Sequence, residues 1–486
     1  MKRLLLAASA FILAAAGAPA PGTMALQTDG SDFVSRNDTT LSFNSRKLRL
    51  SGMNVPWLGL RVDAAAGGVR APTPFEQRDV LSTVFLMGSG YVRSVSLGIT
   101  AGCPDCVVTA GGVVNQDAVH RIDHVLKLAR DKGIKVIIPL IGGAGPCAPQ
   151  STPNPVSGAA CGFARAYGKP DAAFFTDPQI RTAFMHVFTG LLNHVNPESS
   201  LAWKDDPTIM AWENCDRCGI GADAAAVSDW SEFIGQAIKA QDTRHLYENG
   251  AFAGQLTQTP AALLATPSVD IIGDRVMPPA GGSPEPFTPA YQAVAKTGRV
   301  YLITAYAWAP SSWPTADDFQ TFADRLVENR NVAGIFVQSL SGHTDLGGYL
   351  PVPPGEDPVL YFPGANADGL AATAMQDRAR IVRRLSYRML DFDVPAIGHI
   401  EAPEILSAVR GRLTWRGAPG AASYTVSRTT DATLDGSWET VCDKCVTDDF
   451  PFWQDPAPLS KPSWYRMTAY NMNGHIGLVT PAVRNK

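Results

Sequence analysis

The strongest constraint on the fold is a regular alternation of short apolar runs with longer amphipathic segments. Eight runs rich in Val, Ile and aromatic residues are predicted strands: Lys47–Asn54, Tyr91–Leu97, Lys135–Ile141, Ile209–Asn214, His245–Asn249, Asp270–Val276, Val300–Tyr306 and Ala333–Ser339. Helical patterns separate and follow them, notably at Gln116–Lys132, Pro178–Val195, Asp223–Gln241, Ala316–Asn329 and Gly369–Leu390. This alternation indicates parallel strands joined by crossover helices. Eight such units predict an α/β fold, a (β/α)8 TIM barrel with enlarged loops.

After Asp391 the pattern changes to short alternating runs, as in Arg412–Trp415, Ser423–Arg428 and Tyr465–Tyr470. Such runs are typical of antiparallel strands. Trp415 on one strand, followed by Tyr424 on the next, resembles the fibronectin type III or immunoglobulin-like β-sandwich. The sequence therefore predicts a barrel over residues 26–395 and a small all-β sandwich over residues 396–486.

The amino terminus has the features of a secretory signal peptide. A basic start at Lys2 and Arg3 precedes an apolar run from Leu4 to Ala20, and Thr23-Met24-Ala25 fits a small-residue cleavage site. We therefore expect residues 1–25 to be removed and the protein to be secreted, to the medium or the periplasm. No later stretch is long and apolar enough to predict a membrane span.

Charge and composition narrow the range of partners. The formal net charge of -4 and the pI near 6.1 give no electrostatic basis for binding nucleic acid. The sequence thus predicts a monomer without a nucleic-acid or membrane partner.

The eight cysteines are even in number, and six of them form three Cys-x-x-C pairs. These pairs are Cys103/Cys106, Cys215/Cys218 and Cys442/Cys445, which leaves Cys147 and Cys161 to pair with each other. In a secreted chain this pattern favours disulfides. Two Cys-x-x-C pairs can also form a tetrahedral zinc site, which is the competing interpretation. We expect disulfides, with no metal and no cofactor.

The ends of the predicted strands, where barrel enzymes place their chemistry, carry an ordered series of motifs. The series comprises Gly52-Met53-Asn54 with Trp57, Val92-Arg93, Phe175-Thr176-Asp177-Pro178, the run from Asp206 to Glu213, His245-Leu246, Val269-Asp270 and Val332-Ala333-Gly334. It resembles the β-mannanases of glycoside hydrolase family 5, in the cellulase superfamily, over most of residues 40–345. The resemblance implies a groove for a β-linked polysaccharide such as mannan, with Arg93 as the family's buried arginine.

The chain departs from the family where the chemistry should lie. The position of the family's acid/base glutamate carries Arg217, and that of the nucleophile carries Ala305. Retaining hydrolysis needs two carboxylates about 5 Å apart, and an arginine cannot act as an acid or base near neutral pH. Glu213 lies four residues before Arg217, roughly 13 Å deeper on an extended strand at ~3.3 Å per residue, so it is not expected to substitute. The motifs on predicted strands six and eight also differ from those of the family, at Arg275 and Gln338.

The first hypothesis is a non-catalytic descendant of the family that binds polysaccharide. No catalytic residues are assigned. The predicted substrate-binding residues are Trp57, Arg93, Asp216, Arg217, Asp274, Tyr306 and Trp308. In this hypothesis the arginines bind sugar hydroxyls or a uronate, and the aromatic side chains stack on sugar rings. Alternatively, Arg217 forms a salt bridge with Asp216 or Asp274 that plugs the former active site.

Two further hypotheses remain open. The second is an active glycoside hydrolase that uses other acids near strand ends, namely Asp216, Asp274, Glu248 and Asp345. The third is a thiol or metal site at the barrel rim, because Cys103/Cys106 and Cys215/Cys218 follow strands two and four.

Overall fold

The computed structural model describes residues 32–63, 68–109, 111–142, 159–351, 359–367 and 369–486. Eight parallel strands close a barrel, in the spatial order in which they follow along the chain. They are β1 (Leu50–Asn54), β2 (Tyr91–Arg93), β3 (Lys135–Pro139), β4 (Ile209–Glu213), β5 (Leu246–Asn249), β6 (Ile271–Val276), β7 (Val300–Tyr306) and β8 (Gly334–Val337). The predicted (β/α)8 fold is confirmed, and each strand lies within its predicted run.

The helices are α1 (Pro74–Leu86), α2 (Gln116–Asp131), α3 (Ala159–Ala166), α4 (Pro178–Asn193), α5 (Ala224–Gln241), α6 (Ala261–Leu264), α7 (Thr288–Ala295), α8 (Ala316–Glu328) and α9 (Ala372–Met389). Side-chain caps set several of their starts. Thr73 and Glu76 form a reciprocal capping box at α1, and Asp177 and Asp223 cap α4 and α5. These caps satisfy backbone N–H groups that have no partner inside the helix.

The barrel interior follows from the two-residue period of the strands. Side chains packed in the apolar lower interior include Leu50, Tyr91, Ile137, Ala211, Leu246, Ile271 and Leu302. Since side chains alternate between the two faces of a strand, the residue two positions further along each strand also points inward. These next inward residues therefore form the interior layer nearest the carboxyl ends of the strands.

After the barrel, the chain forms antiparallel sheets. One contains β9 (Glu404–Val409), β10 (Arg412–Arg416) and β13 (Trp453–Gln454). The other contains β11 (Ala421–Thr429), β12 (Glu439–Val446), β14 (Trp464–Asn471), β15 (Ile476–Val479) and β16 (Val483–Arg484). These are the antiparallel strands that the sequence predicts, and we call residues 404–486 the carboxyl-terminal sheets. The resemblance to fibronectin type III and the boundary at residue 395 stay predictions.

Short strands lie outside these sheets. A three-stranded sheet precedes the barrel (Ser35–Asn37, Thr40–Phe43 and Arg46–Leu48), and two small hairpins form from Arg61–Asp63 with Gly68–Arg70 and from Val195–Asn196 with Leu201–Ala202. The proposed signal peptide lies outside the described residues. Within the described part of the chain, none of the helices has the length and apolar character to cross a bilayer.

Candidate functional site

A buried polar layer lies at the carboxyl ends of the barrel strands. It occupies the inward positions two to four residues beyond the apolar lower interior and consists of Asn54, Arg93, Glu213, Glu248 and Thr304. Each of these residues is at most 3 % exposed. Burying a charged group costs a large free energy unless the group is paired. The partners of these residues therefore determine what chemistry the layer can perform.

Arg93 is the centre of the layer. Its Nε and Nη2 donate to the two carboxylate oxygens of Glu213, each at 2.6 Å. Nη1 donates to Oδ1 of Asn54 at 3.1 Å, and Nη2 also donates to Oδ1 of Asp216 at 3.0 Å. Asn54 in turn donates to the carbonyl of Thr304 on β7 at 2.6 Å. All three guanidinium nitrogens are therefore engaged by the protein itself.

Glu248 lies beside this network without joining it. It is paired in register with Glu213 on the neighbouring strand and is fully buried. Neither carboxyl oxygen has a hydrogen-bond partner among the described residues. Burial, followed by the charge of Glu213, raises the pKa of Glu248 well above its ordinary value. Because Arg93 already binds two carboxylates, Glu248 is most stable as a neutral acid.

Two glycines make room for the buried acids. A Cβ atom at Gly250 would lie 2.1 Å from Oε1 of Glu213, and one at Gly273 would lie 2.4 Å from Oε1 of Glu248. No side chain fits at such distances, so these positions must remain glycine while both acids occupy the barrel.

The loop after β4 brings Asp216 back over the layer. The strand ends at Glu213, and a disulfide joins Cys215 to Cys218. Arg217 adopts a left-handed conformation, with φ of 59°. The chain is therefore not extended from Glu213 to Arg217, as the predicted depth of Glu213 assumed. The turn folds back, and Asp216 and Glu213 bind the same guanidinium.

The two aromatic residues predicted at the end of β7 are buried in the core. Tyr306 is fully buried and packs on Phe319 and Phe322 of α8, and Trp308 is also fully buried. The expectation that their rings are open to stacking on a sugar is therefore wrong for this structure. Ala305, to which the family resemblance assigns the nucleophile position, is 4 % exposed and offers only a methyl group.

Asp274 and Asp345 lie outside the layer. Asp274 accepts a hydrogen bond at 2.7 Å from the hydroxyl of Tyr301, which packs in the main core outside the barrel interior. Burial raises the pKa of Asp274. Asp345 follows β8 and forms a salt bridge of 2.7 Å with Arg416 of the carboxyl-terminal sheets. The expectation that Asp274 binds substrate is therefore wrong for this conformation, and these two acids do not meet Asp216 and Glu248.

Trp57 lies between the segments that follow β1 and β8, and its role in binding sugar stays a prediction. It is partly buried against the core, and its indole Nε1 donates to the carbonyl of Leu340 at 3.1 Å. Trp57 follows β1 and Leu340 follows β8, so the ring lies at the carboxyl end of the barrel. Asp216 and Arg217 lie at the same end after β4 and are also partly exposed.

The cysteines form disulfides as the spacing predicts. Cys103–Cys106, Cys215–Cys218 and Cys442–Cys445 are each joined, and Cys161 is also disulfide-bonded. Cys147 lies outside the described residues. Among the residues that are described, no group of three or more His, Cys, Asp or Glu side chains is arranged to hold a metal ion.

Two members of the layer have a role that the motifs did not reveal. Glu213 is the main partner of Arg93, and Glu248 lies in the interior rather than on the rim. The two-residue period of the strands could have predicted the inward placement of both glutamates. Ala211 and Leu246 face inward, and Glu213 and Glu248 occupy the next inward positions.

The barrel and its polar layer define a class, a (β/α)8 protein similar to family 5 glycoside hydrolases that act on mannosides. Residues 155–266 match the family described as GH family 5 beta-mannosidase-like. The endo-1,4-beta-mannanase of Rhizomucor miehei shares the fold with a TM-score of 0.56 at 16% identity, covering 74% of this chain and 99% of the enzyme. The endo-beta-1,4-mannanase of Thermotoga petrophila shares it with a TM-score of 0.55 at 16% identity, covering 91% and 98%.

Two similar curated proteins come from plants. Mannan endo-1,4-beta-mannosidase 7 of Arabidopsis thaliana is 28% identical over 243 residues, which are 48% of this chain and 52% of that protein. Mannan endo-1,4-beta-mannosidase 4 of Oryza sativa subsp. japonica is 28% identical over 242 residues, 48% of this chain and 47% of that protein. The chain spans about half the length of the curated relatives it matches.

Proposed function

We propose that this chain is a secreted polysaccharide-binding protein that resembles the family 5 mannanases but does not carry out their retaining hydrolysis. One observation carries the proposal. Arg93, which holds the nucleophile according to the family resemblance, is engaged by Glu213, Asn54 and Asp216, while strand β7 carries Ala305. A retaining glycosidase needs two opposed carboxylates on an accessible rim, and this arrangement supplies an internal salt bridge instead.

An active hydrolase based on other acids has less support. Of the four candidate acids, Glu248 and Asp274 are buried and Asp345 pairs with Arg416. The side chain of Asp216 is 25% exposed, and it binds Arg93. A single accessible carboxylate cannot act both as nucleophile and as acid/base.

A thiol function also has less support, because the Cys-x-x-C pairs after strands two and four are closed as disulfides. The export implied by the amino-terminal sequence is consistent with such bonds.

Glycan binding in this proposal depends on the partly exposed rim. Trp57 stacks on a sugar ring, and Asp216 and Arg217 across the barrel mouth hydrogen-bond to hydroxyl groups. Tyr306 and Trp308 take no part, because they are buried. Stacking and hydrogen bonds spread along a groove give affinity without any need for a catalytic pair.

The test is a polysaccharide panel that includes β-mannan, scored for binding by affinity electrophoresis and for hydrolysis by reducing ends. We expect retarded migration on a β-linked polysaccharide, weakened by Trp57→Ala and unchanged by the control Trp438→Ala in the carboxyl-terminal sheets. We expect no release of reducing ends. Mannan hydrolysis abolished by Asp216→Asn would contradict the proposal.

A further inference from the structure

A histidine joins the loop after β8 to two other parts of the chain. His343 lies in that loop, and its Nδ1 is 2.8 Å from Oδ1 of Asp79 on α1. Its backbone N–H donates to Oδ2 of the same carboxylate at 2.8 Å. On the opposite side of the ring, Nε2 is 3.2 Å from Oδ2 of Asp448 in the carboxyl-terminal sheets. The imidazole thus bridges the barrel and the sheets.

The far side of this bridge is rigidly held. Asp448 accepts hydrogen bonds from the indole Nε1 of Trp415 and from the hydroxyl of Tyr424. The ring of Tyr349 stacks on His343, with 4.6 Å between ring centroids. His343, Asp448, Trp415 and Tyr424 are all buried.

The bridge is charged. Burial opposes protonation of His343, but Asp79 and Asp448 outweigh it and raise the pKa to about 10. The hydroxyls of Tyr349 and Tyr424, which also face this cluster, have pKa values raised by burial and stay neutral. An imidazolium that forms an ion pair with a carboxylate on each side links the two parts of the chain, provided that both partners remain in place.

The same loop carries the hydrogen-bond partner of Trp57. Leu340 accepts from the Trp57 indole at 3.1 Å and donates its own N–H to the carbonyl of Asn54 at 2.9 Å. A Cβ atom at Gly342 would lie 2.8 Å from the Asp79 carboxylate and 3.6 Å from Cη2 of Trp57. Only two residues, Ser341 and Gly342, separate Leu340, which accepts the hydrogen bond from Trp57, from His343.

We propose that His343 is a positioning residue through which the carboxyl-terminal sheets fix the loop after β8 and thereby the orientation of Trp57. The sheets are then part of the binding groove's structure rather than an independent appendage. The effect of His343 on glycan affinity rests on the proposed function. The connection from His343 to Trp57 does not, because it is a property of the fold.

A substitution at Gly417, in the carboxyl-terminal sheets, tests whether His343 positions Trp57. A Cβ atom there would lie 2.4 Å from Cδ2 and 2.5 Å from Nε2 of His343, and 2.9 Å from Cγ of Asp448. Gly417→Ala should therefore displace the imidazole with a single methyl group, without touching Trp57. Gly436→Ala is the matched control, since a Cβ atom at Gly436 would meet nothing within 4 Å.

The readout is the indole N–H resonance of Trp57 in the full chain labelled with 15N-tryptophan, assigned with Trp57→Phe. We expect Gly417→Ala to shift this resonance and to weaken β-mannan binding several-fold, and Gly436→Ala to change neither. Asp448→Asn, which removes one charge without adding volume, should shift the resonance in the same way and serves if Gly417→Ala does not fold.

An unchanged Trp57 resonance in a folded Gly417→Ala or Asp448→Asn protein would overturn the proposal. A shifted resonance in a protein that binds no glycan, even as wild type, would support the link while contradicting the proposed function. The two ideas therefore fail separately.

Discussion

At the scale of single residues, the site is governed by how one buried arginine distributes its hydrogen bonds. Arg93 meets three acidic side chains but donates to only two of them, Glu213 and Asp216. The third, Glu248, is left in a fully buried position without a partner among the described residues. The two buried glutamates, which lie side by side in the sheet, should therefore respond differently to the same substitution.

We predict that Glu213→Gln destabilises the protein by about 3–5 kcal/mol, because it leaves the buried Arg93 without its bidentate partner. Glu248→Gln should change the free energy of unfolding by less than about 1 kcal/mol at acidic pH, since it replaces one neutral polar group by another. Urea denaturation of the matched pair measures both values. Equal losses would contradict the assignment of Glu248 as a neutral acid.

The pH dependence of Glu248 gives a second prediction. Its pKa is raised in the folded protein above the ordinary 4.5, so the folded state binds more protons than the unfolded state. Stability must then fall as pH rises above about 4.5. Relative to Glu248→Gln, the wild type should lose stability progressively as pH rises above about 4.5, as measured by urea denaturation. A pH-independent difference between the two proteins would exclude the shift.

At the scale of elements, the turn after β4 decides which side chains reach Arg93. The Cys215–Cys218 disulfide closes a ring of four residues, and backbone bonds attach the turn to neighbouring loops, from Asp216 to the carbonyl of Ile141 and from Arg217 to that of Gly250. The sequence shows the Cys-x-x-C spacing but not the reversal of direction, because that reversal depends on these contacts with distant segments.

We predict that replacing both Cys215 and Cys218 by Ser costs about 2 kcal/mol of stability, the loop entropy expected for so short a ring. The freed turn should also release Asp216 from Arg93 and weaken glycan binding. Thermal unfolding and affinity electrophoresis measure the two effects. The matched control is the double replacement of Cys442 and Cys445, which should cost a similar amount of stability without affecting binding.

At the scale of the whole molecule, the barrel and the carboxyl-terminal sheets share one buried charge cluster and one partly exposed ion pair. His343 joins Asp79 of the barrel to Asp448 of the sheets, and Asp345 pairs with Arg416. Buried ion pairs that cross an interface resist separation, because opening the interface leaves unpaired charges. The barrel and sheets should therefore unfold together.

We predict one cooperative thermal transition for the wild type and two for Asp448→Asn. The contribution of His343 to stability should be complete below its ordinary pKa of 6.5, decline as pH rises, and vanish above about pH 10, because its folded pKa is raised to about 10. The difference in urea stability between wild type and His343→Gln between pH 6 and 10.5 measures this decline. Two transitions in the wild type at pH 7 would contradict the coupling.

The sequence by itself determined the repeating architecture. The eight strands and the helices between them follow from local periodicity and from caps such as Thr73 and Asp177, which depend only on near neighbours in the chain. The Cys-x-x-C disulfides follow in the same way from short spacing. The assignment of Arg217 and Ala305 to the family's catalytic positions is also a prediction from the sequence.

Only the tertiary structure decided which partners the buried groups select. Strand alternation indicates that Glu213 and Glu248 face inward, but not that Arg93 binds the first and leaves the second. The burial of Tyr306 against α8, and the bridge from His343 to Asp448, join residues far apart in the sequence. Such pairings depend on the closure of the barrel and the docking of the sheets, and no local pattern specifies them. The physical reason is that burial and charge pairing are properties of the assembled core, whereas periodicity is a property of the chain.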